Sequence, residues 1–197
     1  MKIFIISDIH GSALAFEKAV KAFERENASL MVICGDYLNH GPRNPLPEGH
    51  DTKALASALN SMKSKICGIR GNCDSEVDQM MLDFPVTEAS CRIMLLGSGA
   101  KKAEAPSGCI FVHHGHLYTQ EKVIELTEKG ALIVSGHTHV PVLEYADERY
   151  FVNPGSISLP KENSAASYAI VETDDNGAIK GIYLKKLDGT VFSSMNF

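Results

Sequence analysis

Six short apolar runs, each closed by residues that bind metals or shape turns, constrain this chain more than any other feature. Lys2–Ile6 leads into Ser7-Asp8-Ile9-His10, Leu30–Cys34 into Gly35-Asp36, and Ile66–Ile69 into Arg70-Gly71-Asn72-Cys73-Asp74. Cys109–Val112 then leads into His113-His114-Gly115-His116, Leu132–Val134 into Ser135-Gly136-His137-Thr138-His139, and Tyr150–Val152 into Asn153-Pro154-Gly155-Ser156. Runs of this length, rich in Ile, Val and Phe, read as strands buried on both faces. Helical periodicity fills the early gaps. Ser12 caps a helix through about Arg25 with Phe16, Val20 and Phe23 on one side, and Asp51 or Thr52 caps another with Leu55, Leu59 and Met62 inward. Shorter helices are predicted over Glu76–Leu82 and Gln120–Lys129.

Strand and helix alternate through the first half, which predicts parallel crossover units with ligands gathered beyond the carboxyl ends of the strands. From Thr87 the spacing changes. Cys91–Leu96, Val142–Tyr145, Ser167–Glu172 and Ile179–Lys185 read as strands joined by turns such as Asp174-Asp175-Asn176-Gly177, predicting a second sheet packed on the first. The Pro-rich stretch Gly41–Gly49 reads as a loop excursion rather than a linker, so residues 1–197 are expected to form one α/β domain.

Charge and composition narrow the function. The formal net charge is −5, and the adjacent basic pairs are Lys101-Lys102 and Lys185-Lys186, so no stripe exists to neutralise an extended nucleic acid. The first apolar run is too short for a signal segment or a membrane span, giving an expectation of a cytoplasmic protein without membrane attachment. Five cysteines with no CxxC pair suggest neither a disulfide framework nor a zinc knuckle. Cys34, Cys67, Cys91 and Cys109 lie in or beside apolar runs and read as small buried hydrophobes; Cys73 sits among Gly, Asn and Asp.

Taken singly, an Asp after a strand is usually a turn former and a lone His a core or surface residue. Their joint occurrence carries the chemistry. Asp8/His10 and His137/His139 are i,i+2 pairs, which in extended backbone share a face and converge on one ion. Asp36, Asn72 and His114 add single ligands from other strand ends. Seven O and N ligands without a thiolate exceed one tetrahedral site and match two adjacent ions of the Mn, Fe, Co, Ni or Zn class.

The ordered set DIHG, GDYLNHG, GNCD, HHGH and GHTH, followed by NPGS, resembles the calcineurin-like metallophosphoesterase superfamily across essentially the whole chain. That resemblance implies two packed mixed β-sheets flanked by helices, an α/β/β/α sandwich. It implies a first metal on Asp8, His10 and His139, a second on Asn72, His114 and His137, and Asp36 bridging both. The cofactors implied are two divalent transition-metal ions, Mn2+ first, with Zn, Fe, Co and Ni as alternatives. Within the superfamily, GDYLNHGPRNPLPEGH, RGNCDSEVDQM and NPGSISLPK resemble small bacterial phosphodiesterases, so the expected reaction is hydrolysis of a small phosphodiester by metal-activated water.

Catalysis is assigned to Asp36, Asn72, Cys73 and His116, and substrate contact to Arg43 and His116. The choice for His116 lies between such a role and a solvated loop position, and for Arg43 between a phosphate contact and a surface salt bridge. Many superfamily members carry His where this chain has Cys73, so weak acid assistance and a preference for good leaving groups are expected. For Asp74 the choice lies between a partner supporting the ligands from behind and a cap for the helix at Glu76, the cap being favoured; Arg70 is expected to brace its loop and Pro154-Gly155 to form a tight turn. Three rival readings remain: phosphomonoesterase, nucleotide diesterase, and a protein-interaction scaffold like the small retromer subunit, which predicts eroded ligands. A homo-oligomer is left open.

Overall fold

Strand β1 (Lys2–Ile6) sends alternate side chains into two apolar layers, and this alternation organises the molecule. Ile3 and Ile5 join Val32, Ile110, Val112, Leu132 and Val134 in one core. Phe4 and Ile6 join Phe16, Phe23, Leu55 and Leu59 in the other. The computed structural model describes residues 1–95 and 105–197.

After β1 come α1 (Ala13–Glu26), β2 (Leu30–Ile33), α2 (Thr52–Ser61), β3 (Ile66–Gly68) and α3 (Glu76–Met81). The expected caps form: the Ser12 side chain accepts the Ala15 N–H and Asp51 that of Ala54. Next are β4 (Ser90–Met94), β5 (Cys109–His113), α4 (Gln120–Leu126), β6 (Leu132–Val134), β7 (Pro141–Ala146), β8 (Arg149–Pro154), β9 (Ser167–Thr173), β10 (Ile179–Lys186) and β11 (Val191–Asn196). The first sheet runs β11-β10-β9-β1-β2-β3 and the second β4-β5-β6-β8-β7. Both sheets are mixed: β1, β2 and β3 are parallel while β9 joins β1 antiparallel, and β5, β6 and β8 are parallel while β4 and β7 flank them antiparallel. The inner faces of the two sheets enclose one core, α1 and α2 cover the first sheet, and Val123 of α4 packs on Phe111 and Ile133 of the second. This is the expected α/β/β/α sandwich.

Three expectations shift. Segments 167–173 and 179–186 belong to the first sheet, because β9 pairs with β1 rather than with the strands that precede it in sequence. Strand β11 has no counterpart in the sequence reading; as an edge strand that is mostly exposed, it carries little apolar signal. Of the four cysteines expected in the core, only Cys34 is fully buried, while Cys67, Cys91 and Cys109 are partly exposed. Leu96, the expected end of β4, lies outside the described residues. Among the described residues no helix is long and apolar enough to cross a membrane.

The end of β5 separates two neighbouring histidines. His113 stacks on Phe111 with ring centroids 5.7 Å apart, under α4, while His114 turns to the other side. Burial, helped by the charge of His114, pushes the His113 imidazole down to about 4. Since its folded pKa lies below the unfolded value, the unfolded chain takes up a proton that the folded chain refuses as pH falls from about 6.5 to about 4. Stability should therefore drop across that window, and His113→Phe should flatten the drop in urea midpoints measured between pH 7 and pH 4. An unchanged slope would contradict the assignment.

Candidate metal centre

The seven candidate ligands stand on loops just beyond the strands, and the backbone there is unusual. Asp8 (φ 56°), His10 (φ 51°), Asp36 (φ 58°), His137 (φ 70°) and His139 (φ 63°) all adopt the left-handed region. Each such residue costs on the order of 1 kcal/mol or more, a strain that persists only where surrounding structure imposes it. The extended backbone expected for the two i,i+2 pairs is therefore absent. Asp8 and His10 still converge, by kinks that point Ile9 into the core. His137 and His139 instead diverge to separate groups.

The first group holds Asp8, His10 and His139. His10 Nε2 and His139 Nε2 are 3.1 Å apart, and Asp8 Oδ1 is 3.6 Å from the former and 3.3 Å from the latter. In the second group Asn72 Oδ1 lies 3.0 Å from His114 Nε2 and 2.6 Å from His137 Nδ1. Asp36 Oδ2 faces both, 3.6 Å from His10 Nε2 and 3.4 Å from His114 Nε2. Atoms about 2.0–2.2 Å from a common ion are separated by such distances.

Three backbone carbonyls fix which ring nitrogen points inward. His10 Nδ1 donates to the Asn39 carbonyl (3.0 Å), His114 Nδ1 to that of Cys34 (2.6 Å) and His139 Nδ1 to that of Leu159 (2.7 Å). A carbonyl can only accept, so in the neutral rings Nδ1 carries the proton and each Nε2 lone pair is aimed at the carboxylates. Asp8 Oδ1 is buried there without a hydrogen-bond donor. Lone pairs and anionic oxygens brought together in this way repel unless a cation or protons sit among them.

Burial opposes charging Asp8, but His10 and His139 pull its pKa far below the usual carboxylate range. Burial likewise opposes charge on His114, yet Asp36 and Asp8 push the imidazole up to about 9, and the same carboxylates raise His10. Metal binding at these rings must displace protons and so weakens as pH falls.

Asp36, Asn72, His137 and His139 line a cleft of about 800 Å³ together with Cys73, while Asp8, His10 and His114 lie buried behind them. Arg43, on the Gly41–Gly49 loop, lines it with its side chain exposed. Lys161, which the sequence reading passed over, lines it too; only its place after NPGS hinted at this. His116 stands beside the second group, its ring 5.3 Å from that of His114 and 6.2 Å from that of His137. Cys73 Sγ accepts from Asn72 Nδ2 at 3.2 Å, which leaves the amide oxygen of Asn72 facing the histidines. The Cys73 N–H donates to Asp36 Oδ1 at 2.8 Å, and Sγ also lies within 4.8 Å of ligand atoms of His10 and Asp36.

Asp74 does not cap α3. Ser75 does, in a reciprocal box with Asp78. The buried Asp74 carboxylate instead accepts the N–H groups of Asp36 (2.8 Å), Tyr37 (2.8 Å) and Gly71 (2.7 Å), clamping the Asp36 loop to the Asn72 loop. Burial and the charge of Asp36 push it up to about 7, against three donors that favour the anion. Asp74→Asn presents an NH2 to at least one of those N–H groups, so the metal-free protein should lose about 2–3 kcal/mol in urea unfolding. A midpoint unchanged from the parent would refute the clamp. Gly71 is required alongside, because a Cβ there would collide with Asp36 Oδ1. Arg70 braces this loop as expected, with Nε donating to the Asp74 carbonyl. Asn153 of NPGS ties down the GHTH loop by donating to the Gly136 carbonyl (2.7 Å), and the Ser156 hydroxyl donates to that of Asp8 (2.7 Å).

Similarity to known proteins follows the same residues. A profile of the calcineurin-like phosphoesterase superfamily domain matches residues 1–176. Phosphodiesterase YfcE of Escherichia coli is 43% identical over 174 residues, covering 88% of this chain and 89% of that protein. The solved structure of the E. coli phosphoesterase YfcE superposes with a TM-score of 0.85 at 38% identity, covering 100% of this chain and 99% of that one. A Vps29 from Entamoeba histolytica, solved with zinc, shares the fold at TM-score 0.62 and 18% identity, covering 100% of this chain and 99% of its own.

Proposed function

This chain belongs to the calcineurin-like phosphoesterase superfamily, and from that premise we propose that it is a dinuclear metal-dependent phosphodiesterase acting on small phosphodiesters. One observation carries the proposal: the Nε2 lone pairs of His10, His114 and His139, fixed by three backbone carbonyls, converge on Asp8 and Asp36, and Asp36 and His139 also line an open cleft. A scaffold without chemistry has no need of that arrangement. Asp8, His10 and His139 would hold one ion, Asn72, His114 and His137 the other, and Asp36 both. When bound, such ions supply Lewis acidity to phosphoryl oxygens and allow water to ionise near neutral pH. The carboxylate, amide and imidazole ligands of these seven positions suit Mn2+ first, then Zn, Fe, Co or Ni.

The remaining work falls to the chain. Arg43 offers a forked guanidinium to a phosphate oxygen, and Lys161 adds positive charge on the cleft wall. His116, beside His114 and His137, is positioned to contact the substrate near the second group. Asn72 is oriented by Cys73, and Asp36 by the Cys73 N–H and the Asp74 clamp. Cys73 is a poor proton donor, so departure of the alcohol depends on its own acidity. A net charge of −5 argues against extended nucleic acid as substrate, and the five free cysteines suit a cytoplasmic location. The whole chain would act as one domain.

Matched aryl phosphate mono- and diesters test the class of ester. A kcat/KM at least about tenfold higher for the diester is expected, a transition-state difference of about 1.4 kcal/mol. A monoester advantage would overturn the diesterase reading in favour of a phosphomonoesterase.

A further inference from the structure

At the edge of the sandwich where β3 and β4 approach, two thiols face each other. Cys67 Sγ and Cys91 Sγ are 3.7 Å apart, and both residues are partly exposed. The approach is held by backbone: the Arg70 N–H donates to the Glu88 carbonyl at 2.8 Å. Arg70 lies three residues beyond Cys67 and Glu88 three before Cys91, so this bond holds both chain segments close to the two cysteines. To bond, the sulfurs must close from 3.7 Å to about 2.05 Å, a movement within reach of side-chain rotation. Strand β3 is the last of the first sheet and β4 the last of the second. Neither cysteine takes part in the metal centre.

We propose that Cys67 and Cys91 form a reversible disulfide that staples the two sheets under oxidation by a peroxide. The thiolate of one attacks a peroxide oxygen, breaking the O–O bond, releasing water after protonation and leaving a sulfenic acid. The second sulfur attacks that sulfenic sulfur, forming the S–S bond and expelling the oxygen as a second water. Two thiols and one hydrogen peroxide thus give one disulfide and two waters; the sulfurs lose two electrons in all and the peroxide gains them. The S–H···S contact supports the first step, because donation from Cys91 pulls the Cys67 thiol down and favours its thiolate. Partial exposure lets a small dithiol reach the sulfurs and reverse the bond. Cys67 precedes Arg70, whose side chain braces the loop carrying Asn72, so the staple stiffens the strand that leads into the metal centre.

The full chain, treated with hydrogen peroxide and then alkylated, should lose free thiols from five to three. Trypsin with a Glu-specific protease separates Cys73 from Cys91, and non-reducing mass spectrometry should find the Cys67 and Cys91 peptides joined and lacking two hydrogens. The melting temperature should rise by roughly 5–10 °C and fall back with dithiothreitol. Cys67→Ser and Cys91→Ser should each abolish both the linkage and the temperature shift while keeping the unoxidised activity. Oxidation confined to Cys73, with Cys67 and Cys91 still alkylated, would overturn the proposal, as would a linkage that dithiothreitol leaves intact.

Discussion

Asp36→Asn is expected to lower kcat/KM on an aryl phosphodiester by on the order of 10³-fold, a loss of about 4 kcal/mol of transition-state stabilisation. The substitution keeps shape and removes charge. Asn keeps an oxygen for the Cys73 N–H, which Asp36 Oδ1 accepts at 2.8 Å. What changes is the other atom, Oδ2, which lies between His10 and His114; an amide nitrogen there is neither anionic nor a ligand. The backbone of residue 36 remains clamped by Asp74, so the fold should persist, and circular dichroism serves as the control. Activity within about threefold of the parent would contradict a bridging role.

Cys73→His should act in the opposite direction, and selectively. Burial and the charge of Asp36 push the Cys73 thiol up to about 12 in the metal-free protein, and bound cations would pull it down by removing its proton. In neither case is its proton matched to transfer near neutral pH. An imidazole at the same place can donate to a departing oxygen, and general acids contribute about 10²–10⁴-fold where that step limits the rate. Space exists on the cleft side, and Gly41, which packs against Sγ, has no side chain in the way. Alkyl phosphodiesters should therefore be cleaved about 10–100-fold faster by the variant. Aryl diesters with acidic leaving groups should change by no more than about threefold. Equal effects on both ester classes would show that residue 73 acts through metal binding or Asn72 rather than through the leaving group.

The six runs that end in metal-type residues were legible because buried strands and side-chain ligands both leave marks in residue identity. Sheet membership was less so. Nothing local in Ser167–Thr173 says that it returns to pair with Lys2–Ile5, since that pairing joins residues far apart in sequence. The ligand types were equally plain, but the manner of their convergence was not. The i,i+2 spacing of Asp8/His10 and His137/His139 suggested extended strands, whereas left-handed kinks supply the geometry in one pair and divide the other. The carbonyls of Cys34, Asn39 and Leu159, which orient the imidazoles, are invisible in any sequence because every residue carries one. Asp74 precedes a helix and so favours a cap on sequence, but Ser75 and Asp78 build the helix start one residue later, and Asp74 takes the other expected role by supporting the Asp36 loop.

Seven side chains in two groups should hold two ions, and metal content reads this out. Elemental analysis of the chain purified without chelator should find two transition-metal ions per chain. His139→Ala and His137→Ala should each reduce that to one, since they belong to different groups. His113→Phe, which alters the neighbouring ring buried against Phe111, should leave two. Protein that carries no transition metal even after manganese is supplied, or metal content indifferent to both His139→Ala and His137→Ala, would rule out a two-ion centre on these residues.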